Sequence, residues 1–360
     1  MRRSIAVFAL SFAAGTAFAN PTFNFTFVTG TSAQAQQGFL DAAARWSSLF
    51  TDNVTLNMTV GTQTLGAGIL ASTGSAQTRY TYGAFKTALS ADATSANDAT
   101  AVAHLAPGSS FGMLLNRTAN SPNGSGSATP YLDNNGNANN TTIRISNAEA
   151  KALGLTPAPQ NVGVCAGVCD ASIVFSNTFA FDFDPTNGIT AGQYDFVGIA
   201  THEIGHALGF ISGVDVLDIN SPPVNGPFDD DQFNFVSGLD MFRYSAASFA
   251  LGAIDWTAST TAKYFSIDGG VTAGPLFSTG RNFGDGQQAS HWKDSLSIGI
   301  MDPTAATGEL LSISANDIRA FDVIGWNLQA AVVPEPGTLV LFGMALAGLG
   351  VTRKRQVVQR

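Results

Sequence analysis

Residues 201–216 read THEIGHALGFISGVDV, and His202, Glu203 and His206 stand there in the spacing H-E-x-x-H. Side chains four apart on a helix project from one face, so two imidazole nitrogens can reach a single zinc ion. Glu203 lies beside that ion without binding it. Its expected work is to take a proton from water that attacks a carbonyl polarised by the metal. Such a site needs a third protein ligand, and the chain holds few residues able to serve. Histidine occurs four times, at His104, His202, His206 and His291, and glutamate four times, at Glu149, Glu203, Glu309 and Glu335. His104, among small apolar residues in AVAHLAPG, reads as a hydrogen-bonded structural histidine. Glu309 sits in a Gly-flanked turn, and Glu335 belongs to the carboxyl-terminal tail.

The motif requires a helix that holds it. Asp195 can cap one that begins at Phe196 and ends near Gly209. Val197, Ala200, Ile204 and Leu208 recur at spacings of three and four and form its buried stripe. Gly198, Gly205 and Gly209 lie near the histidine face and should keep the surface beside the metal low.

Upstream, Thr22 to Val28 alternates Phe with polar residues, the pattern of a half-buried strand. Ser32 caps a predicted helix to Phe50, with Phe39, Ala42, Ala43 and Trp46 inward. A strand is expected over Asn53 to Val60, and helices over Tyr80 to Leu89, Asp92 to Leu105 and Asn147 to Leu153. Ser121 to Thr142, dense in Asn, Gly, Ser and Pro, reads as a long irregular loop. Ser172 to Phe175 and Phe179 to Phe183 read as strands. Beyond Ile211 few helices are expected until Ser314 to Ile324, with Ile318 and Phe321 turned inward.

The two ends are sorting elements. Arg2 and Arg3, an apolar run, and Ala17-Phe18-Ala19 before Asn20 form a secretory signal peptide over residues 1–19, cut by signal peptidase. At the other end Pro334-Glu335-Pro336 precedes an apolar run from Thr338 to Val351 and then Arg353-Lys354-Arg355. That run is short for a stable membrane span, which needs about 20 residues. Residues 334–360 resemble the PEP-CTERM signal of Gram-negative bacteria, which implies processing by an exosortase and a place at the cell envelope or outside it.

The ends carry six of the 17 basic residues and one of the 26 acidic ones. Residues 20–333 therefore hold 11 basic and 25 acidic residues, a net charge of −14. No basic stripe is visible, so nucleic acid is not an expected partner. Cys165 and Cys169, in VCAGVCD, are the only cysteines. In an oxidising compartment the close pair is most simply a disulfide; ligation of a metal by two thiolates is the rival reading, weakened by the lack of a second Cys or His pair nearby.

The third ligand comes into view through a resemblance. The metzincin pattern H-E-x-x-H-x-x-G-x-x-H/D is matched through Gly209 and fails at Ser212, and neither Asp215 nor Asp218 falls at the ligand position. His291, in GDGQQASHWKD, is followed ten residues later by Met301 in IMDPT. This is similar to the leishmanolysin-type branch of the metzincins, in which a long insertion separates the glycine turn from the third histidine. The resemblance implies His202, His206 and His291 as ligands of one catalytic Zn²⁺, Glu203 as general base, Gly209 as the turn, and Met301 as a support beneath the metal.

It also implies a metzincin-like zincin fold of α/β (α+β) class, a twisted mixed sheet with long helices. The expected parts are an N-terminal subdomain over 20–210 ending in the zinc helix and a loop-rich C-terminal subdomain over 211–330. Ser172 to Phe175 is the expected edge strand, lining the cleft and pairing with an extended peptide. Only the signal peptide precedes the first predicted strand, without that family's usual large propeptide, so inhibition by a pro-segment thiol is not expected. Asp182, Asp184, Asp229, Asp230 and Asp231 could hold Ca²⁺, but none has the spacing of a calcium loop, so solvated turns are the simpler reading.

The expected function is an exported zinc endopeptidase acting on a peptide or protein substrate. A second class of function is an envelope or matrix protein that keeps the fold and metal but binds without cutting. Hydrolysis of a non-peptide amide or ester at the same zinc is a third.

Overall fold

A computed structural model describes residues 19–226 and 228–329. The expected signal peptide, apart from Ala19, and the expected sorting segment lie outside the described residues. The architecture is mixed α/β with several small sheets. The largest has four strands in the order Thr22–Phe27, Thr55–Gln63, Ala171–Ser176 and Ala71–Ser75. The first three run parallel and the last antiparallel. Parallel neighbours need a crossover, and the helix Ala33–Ser47 supplies the first one, capped by the Ser32 side chain.

The edge strand is not the expected one. Ala171–Ser176 is bonded on both sides, to Thr55–Gln63 and to Ala71–Ser75, so it lies inside the sheet. Its alternate apolar residues Ala171, Ile173 and Phe175 are all buried, as an inner strand demands. The edge nearest the histidines is Ala71–Ser75, whose small polar sequence ASTGS carries no apolar run to announce a strand.

Two helices pack on this sheet and on each other. Phe39 of the first meets Phe175 of the sheet at 5.3 Å between ring centroids and Phe196 of the helix Phe196–Leu208 at 5.4 Å. About two helical turns further, Trp46 donates its indole N–H to the Thr201 carbonyl at 2.8 Å. The expected stripe of Val197, Ala200, Ile204 and Leu208 is buried in this packing.

Ser121 to Thr142 is more ordered than its composition suggests. It contains the strand Tyr131–Asp133 and the helical turn Ala138–Thr141. Asn139 and Asn140 turn inward and donate to the Asp133 side chain and carbonyl at 2.7 and 3.2 Å. Amide N–H groups that find an acceptor such as Asp133 can be buried at lower cost than unpaired ones.

Past residue 210 the chain forms short helices, including Val214–Asn220, and is knitted by buried carboxylates accepting backbone N–H groups. Asp240 takes Gly213 N at 2.8 Å and Ser237 N at 3.0 Å. Asp218 takes Asn282 N at 2.7 Å and Phe283 N at 2.9 Å. The last helix spans Ala315–Val323 with Phe321 inward as expected, but Asp317 is buried there and Ile318 only half-buried. One continuous core joins both sides of residue 210: Trp46 packs on Phe321 at 4.6 Å. Residues through Leu328 belong to one compact unit.

Candidate metal centre

The helix Phe196–Leu208 begins where Asp195 accepts the Gly198 N–H at 2.7 Å and ends at Gly209. Gly209 adopts φ +124°, which an L side chain rarely tolerates, so the chain turns sharply after the second histidine. That turn brings the Phe210 carbonyl back to His206 Nδ1 at 2.7 Å.

Each of the three histidines has its Nδ1 on a carbonyl. His202 reaches Ile300 O at 2.7 Å, His206 reaches Phe210 O, and His291 reaches Gln288 O at 3.3 Å. A carbonyl oxygen only accepts, so Nδ1 carries the proton and Nε2 presents a lone pair. The Nε2 atoms of His202 and His291 both lie 3.1 Å from Nε2 of His206. Without protons between them these contacts are mutually repulsive, and a cation at their focus resolves the repulsion. Zinc–nitrogen bonds of about 2.1 Å at tetrahedral angles place neighbouring nitrogens about 3.4 Å apart, near what is seen. His202, His206 and His291 form the one group of three or more His, Cys, Asp or Glu, among the described residues, whose ligand atoms converge in this way.

Burial favours the neutral form of His206 and His291. It pushes His206 down to about 3 and His291 well below the usual histidine range, each helped by the neighbouring histidines. Burial also raises the Glu203 carboxyl, against the opposing pull of His202 and a hydrogen bond from Thr73.

Met301 is fully buried, and a Cβ placed on Gly205 would lie 2.5 Å from its sulfur. Gly205 therefore exists for the close approach of Met301 to the histidine helix. Gly198 likewise admits Leu311, and Gly209 faces Glu149. These glycines receive neighbouring segments, which is a different use from lowering the surface beside the metal. Ser212, at the position where the shorter metzincin pattern would carry a ligand, donates to Asp240 at 2.6 Å.

Several residues that position the site carried no signal as such. Asp215 accepts Ala289 N at 2.6 Å and Ser290 N at 3.1 Å, fixing the loop that delivers His291. Asp317 accepts Trp292 Nε1 and Ile300 N at 2.8 Å each, Met301 N at 3.3 Å and Ser314 N at 2.7 Å. It thus ties the residue after the third histidine to the carbonyl-bearing residue that orients the first. Thr73 reaches Glu203 Oε2 at 2.6 Å. The acid spacing after the motif could have pointed to Asp215, and the Ser314-x-x-Asp317 capping pattern marks Asp317 only as a helix-start residue; nothing local marks Thr73.

The histidines open on a cleft of about 860 Å³ lined by His202 and His291, by Ile69, Leu70 and Ala71 on one side and by Gln288 on another. His104 lies apart, exposed at a helix end with Nδ1 on Thr100 O at 2.8 Å. Cys165 and Cys169 are joined as a disulfide. Asp182 is occupied by Thr190 and Asp184 by Thr186, and Asp230 accepts from Asn120.

Residues 332–355 match the PEP-CTERM protein-sorting motif. The motif marks proteins exported to the cell envelope of Gram-negative bacteria and implies processing by an exosortase-type system. No curated protein and no solved structure matches the chain.

Proposed function

We propose that this chain is an exported zinc-dependent endopeptidase of metzincin type, similar to the leishmanolysin branch, with a zincin fold built on the four-stranded sheet. The observation that carries the reading is the convergence of three Nε2 lone pairs, from His202, His206 and His291, beside Glu203. Zinc held there would supply Lewis-acid polarisation of a carbonyl and bring the pKa of water toward neutrality.

The chain's own residues supply the rest. Carbonyls of Ile300, Phe210 and Gln288 hold the three imidazoles in the tautomer that ligates. Glu203 has Oε2 engaged by Thr73, which leaves Oε1 to accept a proton from attacking water and return it to the leaving amine. The free edge of Ala71–Ser75 offers backbone groups to an extended peptide, and Ala71 at its start lines the cleft.

Metal analysis and casein digestion of the purified protein, with and without a chelator, test this reading. His291→Ala should lose zinc and activity together, and unchanged, tightly bound zinc would remove His291 from the site. Glu203→Gln should keep zinc and lose proteolysis; full residual activity would refute its role as base.

A further inference from the structure

We propose that Thr73 is a positioning residue for Glu203, presented by the strand edge along which a peptide would lie. The proposal rests on the endopeptidase reading above.

A glutamate carboxyl turns about its last bond with a broad, two-fold preference, so burial alone does not select which oxygen faces the reaction. Thr73 Oγ1 lies 2.6 Å from Glu203 Oε2 and 3.0 Å from the Glu203 carbonyl. No hydrogen bond to Oε1 occurs among the described residues. The hydroxyl therefore picks one orientation and leaves the second oxygen free.

The strand is itself fixed to the histidine helix. Side chains alternate along a strand, so Thr73 and Ser75 share a face. Ser75 Oγ donates to the His206 carbonyl at 3.0 Å. Two hydroxyls thus bolt the edge strand to the helix at the base and at the second ligand.

The opposite face of the strand is backed as well. A Cβ on Gly74 would come 3.0 Å from Val162 Cγ2. Val162 exchanges backbone hydrogen bonds of 2.9 Å with Cys165, which the disulfide joins to Cys169. Thr73 has little freedom to withdraw. Whatever seats a peptide on this edge bears directly on the element that orients the base.

Thr73→Val removes the hydroxyl at nearly constant shape, and Thr73→Ser keeps it. Losing a hydrogen bond to a carboxylate should lower kcat about tenfold or more while KM stays within about twofold. Thr73→Ser should recover most of that loss. Zinc stoichiometry should match wild type in both variants, and the metal-free Thr73→Val protein should melt only slightly lower, by the loss of one hydrogen bond. In a Glu203→Gln background Thr73→Val should add nothing, because its effect passes through Glu203.

Wild-type kcat in Thr73→Val would overturn the assignment, as would a Thr73→Ser variant no better than Thr73→Val. Loss of zinc from Thr73→Val would overturn it too, by moving the role to the metal site. If wild type itself shows no chelator-sensitive hydrolysis, the endopeptidase reading falls and this role falls with it. If wild type cuts and Thr73→Val cuts equally, only the role of Thr73 is lost.

Discussion

Removing the Asp317 carboxylate should disturb the proposed metal centre from a distance, although Asp317 touches none of the three histidines' ring nitrogens. The carboxylate is fully buried and takes four N–H groups, from Trp292, Ile300, Met301 and Ser314. Asp317→Ala leaves four donors, three of them buried, without this acceptor. An orphaned buried donor costs about 1–3 kcal/mol, and neighbours that relax together do not add, so about 4 kcal/mol of stability is expected to be lost. Asp317→Asn retains one acceptor and turns an amide N–H toward donors, which should cost about 2 kcal/mol. Both substitutions loosen Ile300, whose carbonyl sets the His202 tautomer, and Trp292, which follows His291. Loss of such supporting hydrogen bonds typically weakens metal affinity about 10- to 100-fold. Urea unfolding of the metal-free protein reads the first effect, and competition with a chelating dye reads the second. Unchanged midpoint and unchanged zinc affinity in Asp317→Ala would refute the account.

Two further outcomes test other parts of the structure. Gly205→Ala places a methyl group 2.5 Å from the Met301 sulfur, so overpacking should cost about 1–3 kcal/mol and shift the methionine; an unaltered melting temperature would show that the contact is loose. Asp52 and Asp92 meet at Asn327, and burial pushes their carboxyls up to about 7 and about 6 from 3.8. The folded chain therefore holds protons that the unfolded chain has already lost, and stability contributed by these groups falls as pH rises from about 4 toward 7. Asp52→Asn should flatten that fall, seen as a smaller difference between urea midpoints at about pH 5 and about pH 8. An identical pH dependence in the variant would count against it.

The histidine helix was legible almost to the residue. Its cap at Asp195, its end at Gly209 and its buried stripe are local features, decided within one or two turns of chain. The first strand and first helix were legible for the same reason. The edge strand was misread because pairing, not composition, makes an edge: SIVF looks like any strand, and ASTGS looks like a loop until Ala171–Ser176 offers it a partner. The Asn-rich segment was misread because the amides of Asn139 and Asn140 meet Asp133 only when folded. Ile318 was placed inward by periodicity, but the backbone N–H groups of Ile300 and Met301 needed an acceptor, and Asp317 took the buried place.

The sequence by itself determined two imidazoles on one helical face, a carboxylate between them, a glycine turn after them and a sorting motif at the end of the chain. Only the tertiary structure decided that His291, 85 residues past His206, arrives within 3.1 Å of it. It also decided that Asp215, Asp317 and Thr73 hold the parts in place. The division has a physical cause. Helix periodicity and capping are set by neighbours along the chain, whereas a histidine cluster closed by a long loop depends on carboxylates and hydroxyls meeting distant backbone groups. Those meetings leave no spacing in the sequence to read.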